Sequence, residues 1–311
     1  MNIYIFCRYR DYFSKVQMRE LKKAAHIILI EDVGPIGKNK ALIHDTHEKM
    51  ITIDPDSCHW RITNEDVDRI PNLKAIILNS TSFDYIDVNH CRQKNIIVTN
   101  TRNFASEAVA EWLLMMSLMI ARKMPLIIQN DWKLDFQQHM GMELQGKTAG
   151  IIGLGNVGKR IAQLCNALGM KVLYWSPHSH DGAYKRVGLK KLFRTADFIY
   201  PCLAKNPETM ELITKKHLLS MKKNACLVAA SPQCQLLDNN TVYKRITSKK
   251  MYGIGFEHDR DSEQFYHKEN GNILITPAIA WYTKETTLRN AEKWTRNIIE
   301  AARMRYPNKV N

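Results

Sequence analysis

The stretch Gly-Ile-Ile-Gly-Leu-Gly-Asn-Val-Gly-Lys-Arg-Ile-Ala-Gln-Leu-Cys-Asn-Ala-Leu-Gly, from Gly150 to Gly169, constrains the fold of this chain more than any other. Gly153, Gly155 and Gly158 have the G-x-G-x-x-G spacing. The first permits a tight turn, the second lets backbone approach a pyrophosphate, and the third lets a helix lie close to a strand. Thr148 to Ile152 reads as a strand before the turn and Lys171 to Trp175 as a second strand after it. Between them Val157, Ile161, Leu164, Cys165 and Leu168 fall at helical spacing, and Gly169 is placed to end that helix. The helix N-terminus points at phosphate oxygens. Gly153, Gly155, Asn156, Val157 and Gly158 are therefore the expected cofactor-binding residues of a dinucleotide turn.

The rest of the chain alternates short apolar runs with amphipathic segments. Asn2 to Cys7, Ile27 to Ile30, Met50 to Ile53, Leu73 to Leu78 and Asn95 to Asn100 read as strands, with helices near Tyr12 to Ala25 and Asn64 to Ile70. A helix starting near Ser106 includes the most apolar segment, Trp112 to Ala121, which is shorter than the ~20 residues a membrane span needs and reads as a buried helix. Further on come strands 197–202, 225–230, 251–256 and 273–275, a helix over 208–220 and a last helix over 283–304. Such alternation implies parallel sheets covered on both faces. The fold class expected is α/β, with two doubly wound parallel-sheet domains of Rossmann-like or flavodoxin-like type.

With 311 residues and 45% hydrophobic content the chain can bury two cores. Its seven cysteines are scattered, with no C-x-x-C pair, so neither a disulfide framework nor a zinc site is expected and a reducing cytoplasm fits. The start, Met-Asn-Ile-Tyr-Ile-Phe-Cys, enters a strand-like run without the layout of a secretory signal. The net charge of +14 is spread in doublets such as Lys215-Lys216 and Lys249-Lys250, without a run of five. A solvated basic surface that suits anionic small molecules is expected, with neither nucleic acid nor membrane as partner.

Four stretches resemble the D-2-hydroxyacid dehydrogenase family, over residues from about 74 to the end. Ile76 to Asp87 is similar to the family's substrate-carboxylate loop, and Ser106-Glu-Ala-Val-Ala-Glu111 to the start of its long interdomain helix. Glu143-Leu-Gln-Gly-Lys147 with the glycine turn resembles the beginning of its dinucleotide domain. Asn272 to Pro277 with Ile279-Ala-Trp-Tyr-Thr283 resembles the segment that closes it. The resemblance implies a discontinuous substrate domain, 1–101 plus 284–311, a dinucleotide domain over 102–283, a cleft between them and a homodimer. It implies NAD(P)-dependent hydride transfer to or from a small 2-keto or 2-hydroxy acid, with Ser80, Thr81 and Ser82 at the substrate carboxylate.

That chemistry uses an arginine to clamp the carboxylate, a histidine to exchange the hydroxyl proton and an acidic residue to hold the histidine. This sequence departs from the pattern. Pro232 stands at the arginine's place after Ser231, and Ala278 follows Thr276-Pro277 where the histidine belongs. Gln233 is the candidate substitute for the arginine, although a neutral amide binds a carboxylate less strongly than guanidinium. Asp259 is the candidate carboxylate, with Glu257 and His258 beside it. His258 is either a relocated acid/base or an exposed loop histidine, and Trp281 and Tyr282 either line the substrate pocket or pack. A catalytically degenerate nucleotide-binding protein is the alternative to an oxidoreductase. For the cofactor, NAD-preferring members carry an acidic residue at the end of the second strand, where this chain has Ser176. With His178, His180, Lys185 and Arg186 nearby, electrostatics favour NADP over NAD. No metal is expected; His178-Ser-His180 is a weak pattern.

Overall fold

Successive strand residues go to opposite faces of a sheet, and the first strand shows what that dictates. Ile3 and Ile5 are buried in one core, Tyr4 and Phe6 in another. The computed structural model describes residues 1–8, 12–203, 209–210, 212–230, 237–257 and 271–311. These fall into two compact units, Met1–Phe104 with Thr283–Asn311, and Ala105–Tyr282.

The first unit runs β1 (Asn2–Phe6), α1 (Lys15–Ala24), β2 (His26–Ile30), α2 (Lys40–His44), β3 (Lys49–Ile53), α3 (Asn64–Asp68), β4 (Leu73–Leu78), α4 (Val88–Gln93) and β5 (Ile97–Asn100). Its sheet has the order β2-β1-β3-β4-β5 and is parallel throughout. The C-terminal helix Lys284–Ala302 covers the face bearing Ile3, Ile5, Met50 and Ile77. Trp294 of that helix is fully buried, meets Tyr12 edge to face and Phe13 at a tilt, and donates its indole N–H to Thr52 Oγ1 (2.5 Å).

The second unit continues with α5 (Ser106–Ala121), α6 (Met124–Gln129), β6 (Thr148–Ile152), α7 (Asn156–Ala167), β7 (Lys171–Trp175), β8 (Lys185–Arg186), α8 (Leu189–Thr195), β9 (Phe198–Pro201), α9 (Lys215–Leu219), β10 (Cys226–Ala229), α10 (Asn239–Thr247), β11 (Gly253–Glu257) and β12 (Ile273–Thr276). The seven strands are parallel, in the order β12-β11-β10-β9-β6-β7-β8. α5 and α7 pack on the face that carries Ile151, Tyr174 and Tyr200, while α8, α9 and α10 cover the face with Ile152, Ile199 and Leu227. Each sheet thus reverses its order at one place, β1/β3 in the first unit and β6/β9 in the second. The expected α/β class with two doubly wound parallel sheets is borne out.

Two expectations are corrected. Among the described residues of the helix expected over 208–220, only Lys215–Leu219 is helical, because His217 Nδ1 accepts the Thr214 N–H (3.2 Å) and fixes Thr214 as its cap. The segment Trp112 to Ala121 is not buried all round. Met115 and Leu118, three apart and on one face of α5, are 42% and 43% exposed. Among the described residues six cysteines are free, no group of three metal-ligating side chains is assembled, and no helix is long and apolar enough to cross a membrane.

Candidate active site

In a parallel sheet the carboxyl ends of all strands share one edge, and ligands settle there at the place where strand order reverses. The glycine turn lies at that place, between β6 and α7. Its glycines divide the work. Gly153 has φ +91°, and a Cβ there would stand 2.7 Å from the Cys202 carbonyl oxygen. A Cβ at Gly158 would stand 2.0 Å from the Gly153 carbonyl oxygen, so that glycine lets α7 close on the turn. Gly155 differs: its φ of −77° suits any residue, and a Cβ there would meet nothing within 4 Å. Fold geometry accounts for two glycines, and the third borders open space. Gly155 is also the N-cap of α7; no side chain caps that end and its first turn holds no acidic residue. Asn156 is exposed beside it and Val157 half-buried. Open space and an uncapped helix N-terminus fit a pyrophosphate group.

One strand along, Ser176 ends β7. It is buried, and its Oγ accepts the Ser179 N–H (3.2 Å), which shapes the loop towards β8. Pairing of Tyr174 with Arg186 carries the arginine alongside this strand end. Arg186 Nη2 donates to the Ser176 carbonyl (2.8 Å), and Nη1 lies 3.5 Å from His180 Nδ1. His178 is exposed on the same loop. In the sequence Arg186 is one of several nearby charges; the two-residue strand that places it carries no apolar signal.

Further along the edge, Glu257 ends β11 in register with Thr276 of β12. Its carboxylate is buried and accepts the Ala280 N–H (2.5 Å), which fixes the segment containing Ala278. Ala278 itself is exposed, as are Trp281 and Tyr282, whose rings meet edge to face at 5.2 Å. Pro232, Gln233, His258 and Asp259 lie outside the described residues.

In the first unit the loop after β4 is held by its own side chains. Ser80 Oγ donates to the Ser82 carbonyl (2.6 Å) and lies 2.8 Å from the Tyr85 hydroxyl; Thr81 Oγ1 donates to the Thr101 carbonyl (3.1 Å). Among the described residues no acceptor takes the backbone N–H of Thr81 or Ser82. The hydroxyls thus shape the loop and the backbone donors are left over. Next to it, at the carboxyl ends of β3 and β4, Asn79 Nδ2 donates to Asp54 Oδ2 and to the Tyr12 oxygen (3.3 Å each). Burial pushes the Asp54 carboxyl up to about 6, against the bond it accepts from the Asp56 N–H.

That shift has a measurable consequence. The folded state holds the Asp54 proton more tightly than the unfolded chain, so stability falls as pH rises from the ordinary carboxyl value, 3.8, through about 6. Asp54→Asn keeps the shape and removes the charge. It should unfold at a higher temperature than the wild type at pH 7 to 8, by up to ~3 kcal/mol of stability at 1.36 kcal/mol per unit, and the gap should close towards pH 4. A gap that is constant with pH, or reversed, contradicts the assignment.

A family model described as the NAD-binding domain of D-isomer-specific 2-hydroxyacid dehydrogenases matches residues 114–280. A glyoxylate reductase of Thermococcus litoralis is 28% identical over 269 residues, 81% of this chain and 81% of its own length. Among solved structures, an acyclic imino acid reductase in complex with NADPH and D-Arg has a TM-score of 0.85 at 24% identity, over all of both chains. A glyoxylate reductase from Paecilomyes thermophila has a TM-score of 0.86 at 18% identity, over all of this chain and 98% of its own. These two similarities carry the fold.

Proposed function

The chain belongs to the D-isomer-specific 2-hydroxyacid dehydrogenase family, and on that premise we propose that it is an oxidoreductase that uses NADP(H) in preference to NAD(H) on a small 2-keto or 2-hydroxy acid. The observation that carries this is the glycine turn at the reversal point of the second sheet, with open space at Gly155 and an uncapped α7. The unit Ala105–Tyr282 holds the nucleotide and the discontinuous unit the acid. A nicotinamide held by the former would supply, or take up, the hydride at C2 of the acid. Gly153, Gly155, Asn156, Val157 and Gly158 bind the pyrophosphate. The Thr81 and Ser82 N–H groups bind the substrate carboxylate in a loop shaped by Ser80, and Gln233 adds an amide. Asp259 and His258 are the remaining candidates for moving the hydroxyl proton. Glu257 positions the segment around Ala278.

Preference for NADP(H) rests on Ser176 and Arg186. No carboxylate stands at the end of β7 to repel a 2′-phosphate, and the Arg186 guanidinium is anchored there. His178 adds a further donor on the loop. Arg186→Ala should weaken NADPH ~10- to 100-fold, the worth of a hydrogen bond to a charged group, and leave NADH nearly unchanged. Ser176→Asp should reverse the order of the two. Dissociation constants at one fixed salt concentration are the check. A wild type that strongly prefers NADH, or an Arg186→Ala variant that loses both nucleotides equally, contradicts it.

A homodimer and a cytoplasmic setting complete the proposal. Trp132, Leu134, Phe136 and Met140 are 57–80% exposed within one short segment, an apolar patch of the kind a second copy covers. Free cysteines suit a reducing compartment. Pro232 and Ala278 favour a second possibility, that the chain binds the nucleotide without turning over, as a sensing or interaction module. Turnover with a panel of 2-keto acids separates the two.

A further inference from the structure

The second unit has a basic groove on the face of its sheet opposite α7. α9 and α10 lie side by side there, with Leu218, Val242 and Ile246 in the core beneath them. Arg245 of α10 is only 7% exposed. Its guanidinium donates to four backbone carbonyls, those of Leu219 (3.3 Å), Met221 (3.1 Å), Lys222 (3.3 Å) and Lys250 (2.6 Å). Its Nε is buried without any acceptor, and no carboxylate among the described residues pairs with it. Burial pulls its proton affinity below the usual arginine range. A buried cation held by carbonyl dipoles is stabilised by them but keeps its net charge, with no counter-ion beside it.

That charge borders a cavity of about 360 Å³, lined also by Lys215, Lys244, Lys250, Asp238 and Asn240. The carboxylate in the lining is already engaged, because Asp238 caps α10 by accepting from Thr241 N–H and Thr241 Oγ1 (3.0 Å each). The three lysines are exposed and among the described residues none is in a direct ion pair; Lys215 is near enough to Asp238 to help hold its carboxyl below the usual range, and Lys244 and Lys250 have no carboxylate partner. Four cations therefore face one committed anion around a small space.

We propose that this groove between α9 and α10 binds a phosphate group, free or as the ester of a small molecule, at a site separate from the glycine turn. Lysines bind phosphate as mobile point charges, and the buried guanidinium sets a fixed positive floor. The cavity suits a small molecule rather than a polymer.

The test is titration of the full-length protein with inorganic phosphate at constant ionic strength, followed by calorimetry. It is repeated on Gly155→Val, which removes the glycine turn as a phosphate site, and on the double variant Lys244→Glu with Lys250→Glu. Far-UV circular dichroism confirms that each is folded; Arg245 is left intact because its bonds hold the fold. Saturable binding should persist in Gly155→Val and weaken at least ~10-fold in the double variant, tenfold being 1.4 kcal/mol. Tighter binding of glycerol phosphate than of inorganic phosphate would support the proposal with an ester as ligand, and the reverse order would support it with the free ion. Absence of saturable binding in Gly155→Val, or equal affinity in the double variant, overturns the proposal.

Discussion

Gly155→Val should abolish nicotinamide-nucleotide binding while leaving the fold intact, and Gly158→Ala should do damage of a different kind. At Gly155 the backbone already suits a side chain and a Cβ meets nothing within 4 Å. The isopropyl group therefore projects only into the space assigned to pyrophosphate. The melting temperature should hardly change, and binding of NADPH and NADH should fall below detection. At Gly158 a Cβ would stand 2.0 Å from the Gly153 carbonyl oxygen, inside α7's contact with the turn. Even alanine there should cost ~1–3 kcal/mol or more by overpacking. Calorimetric titration beside thermal unfolding separates the two. Nucleotide binding that survives Gly155→Val places the pyrophosphate elsewhere.

The second large effect is a gain. Pro232 offers neither a side-chain donor nor a backbone N–H, and Ala278 offers no proton. Common 2-keto acids should be reduced slowly by the wild type. Pro232→Arg with Ala278→His supplies both missing groups. A positioned acid/base contributes ~10² to 10⁴ in rate and a charge-stabilising donor ~10² to 10³, without additivity. The double change should therefore raise kcat/KM for glyoxylate or pyruvate by ~10²-fold or more. Ala278 is exposed, so an imidazole has room, and Glu257 already fixes the segment that would carry it. Wild-type turnover in the ordinary range of ~1 to 10³ per second would show instead that other residues, with Gln233 and His258 the first to test, have taken over the roles.

What could be read from the sequence follows the strength of its periodic signals. β4, β6 and β7 fall where apolar runs end at polar or glycine punctuation, and the doubly wound class follows from their alternation with helices. α10 leaves no periodic signal because its run Asn239–Thr247 is mostly polar, and tertiary burial of Val242 and Ile246 holds it. The glycine turn was visible because three glycines in fixed spacing answer to backbone geometry alone. Arg186 and Glu257 were not legible as they act in the structure. One depends on pairing of β8 with β7, the other on a contact across 23 residues, and neither leaves a local pattern. Ser80 and Thr81 are in the loop expected for the substrate carboxylate, but only geometry shows that their hydroxyls are spent on backbone carbonyls, of Ser82 in that loop and of Thr101 after β5.

Hydride transfer by this chain between a nicotinamide and C2 of a small acid can be tested without fast turnover. NADPH carrying deuterium at C4 is incubated with stoichiometric full-length protein and glyoxylate, pyruvate or hydroxypyruvate, and the hydroxy acids are examined by mass spectrometry. Deuterium at C2 of at least one product, present with the wild type and absent with Gly155→Val, is the predicted result. Unlabelled or undetectable hydroxy acid with every substrate, from a protein that binds NADPH, would contradict it and leave a nucleotide-binding protein without hydride chemistry.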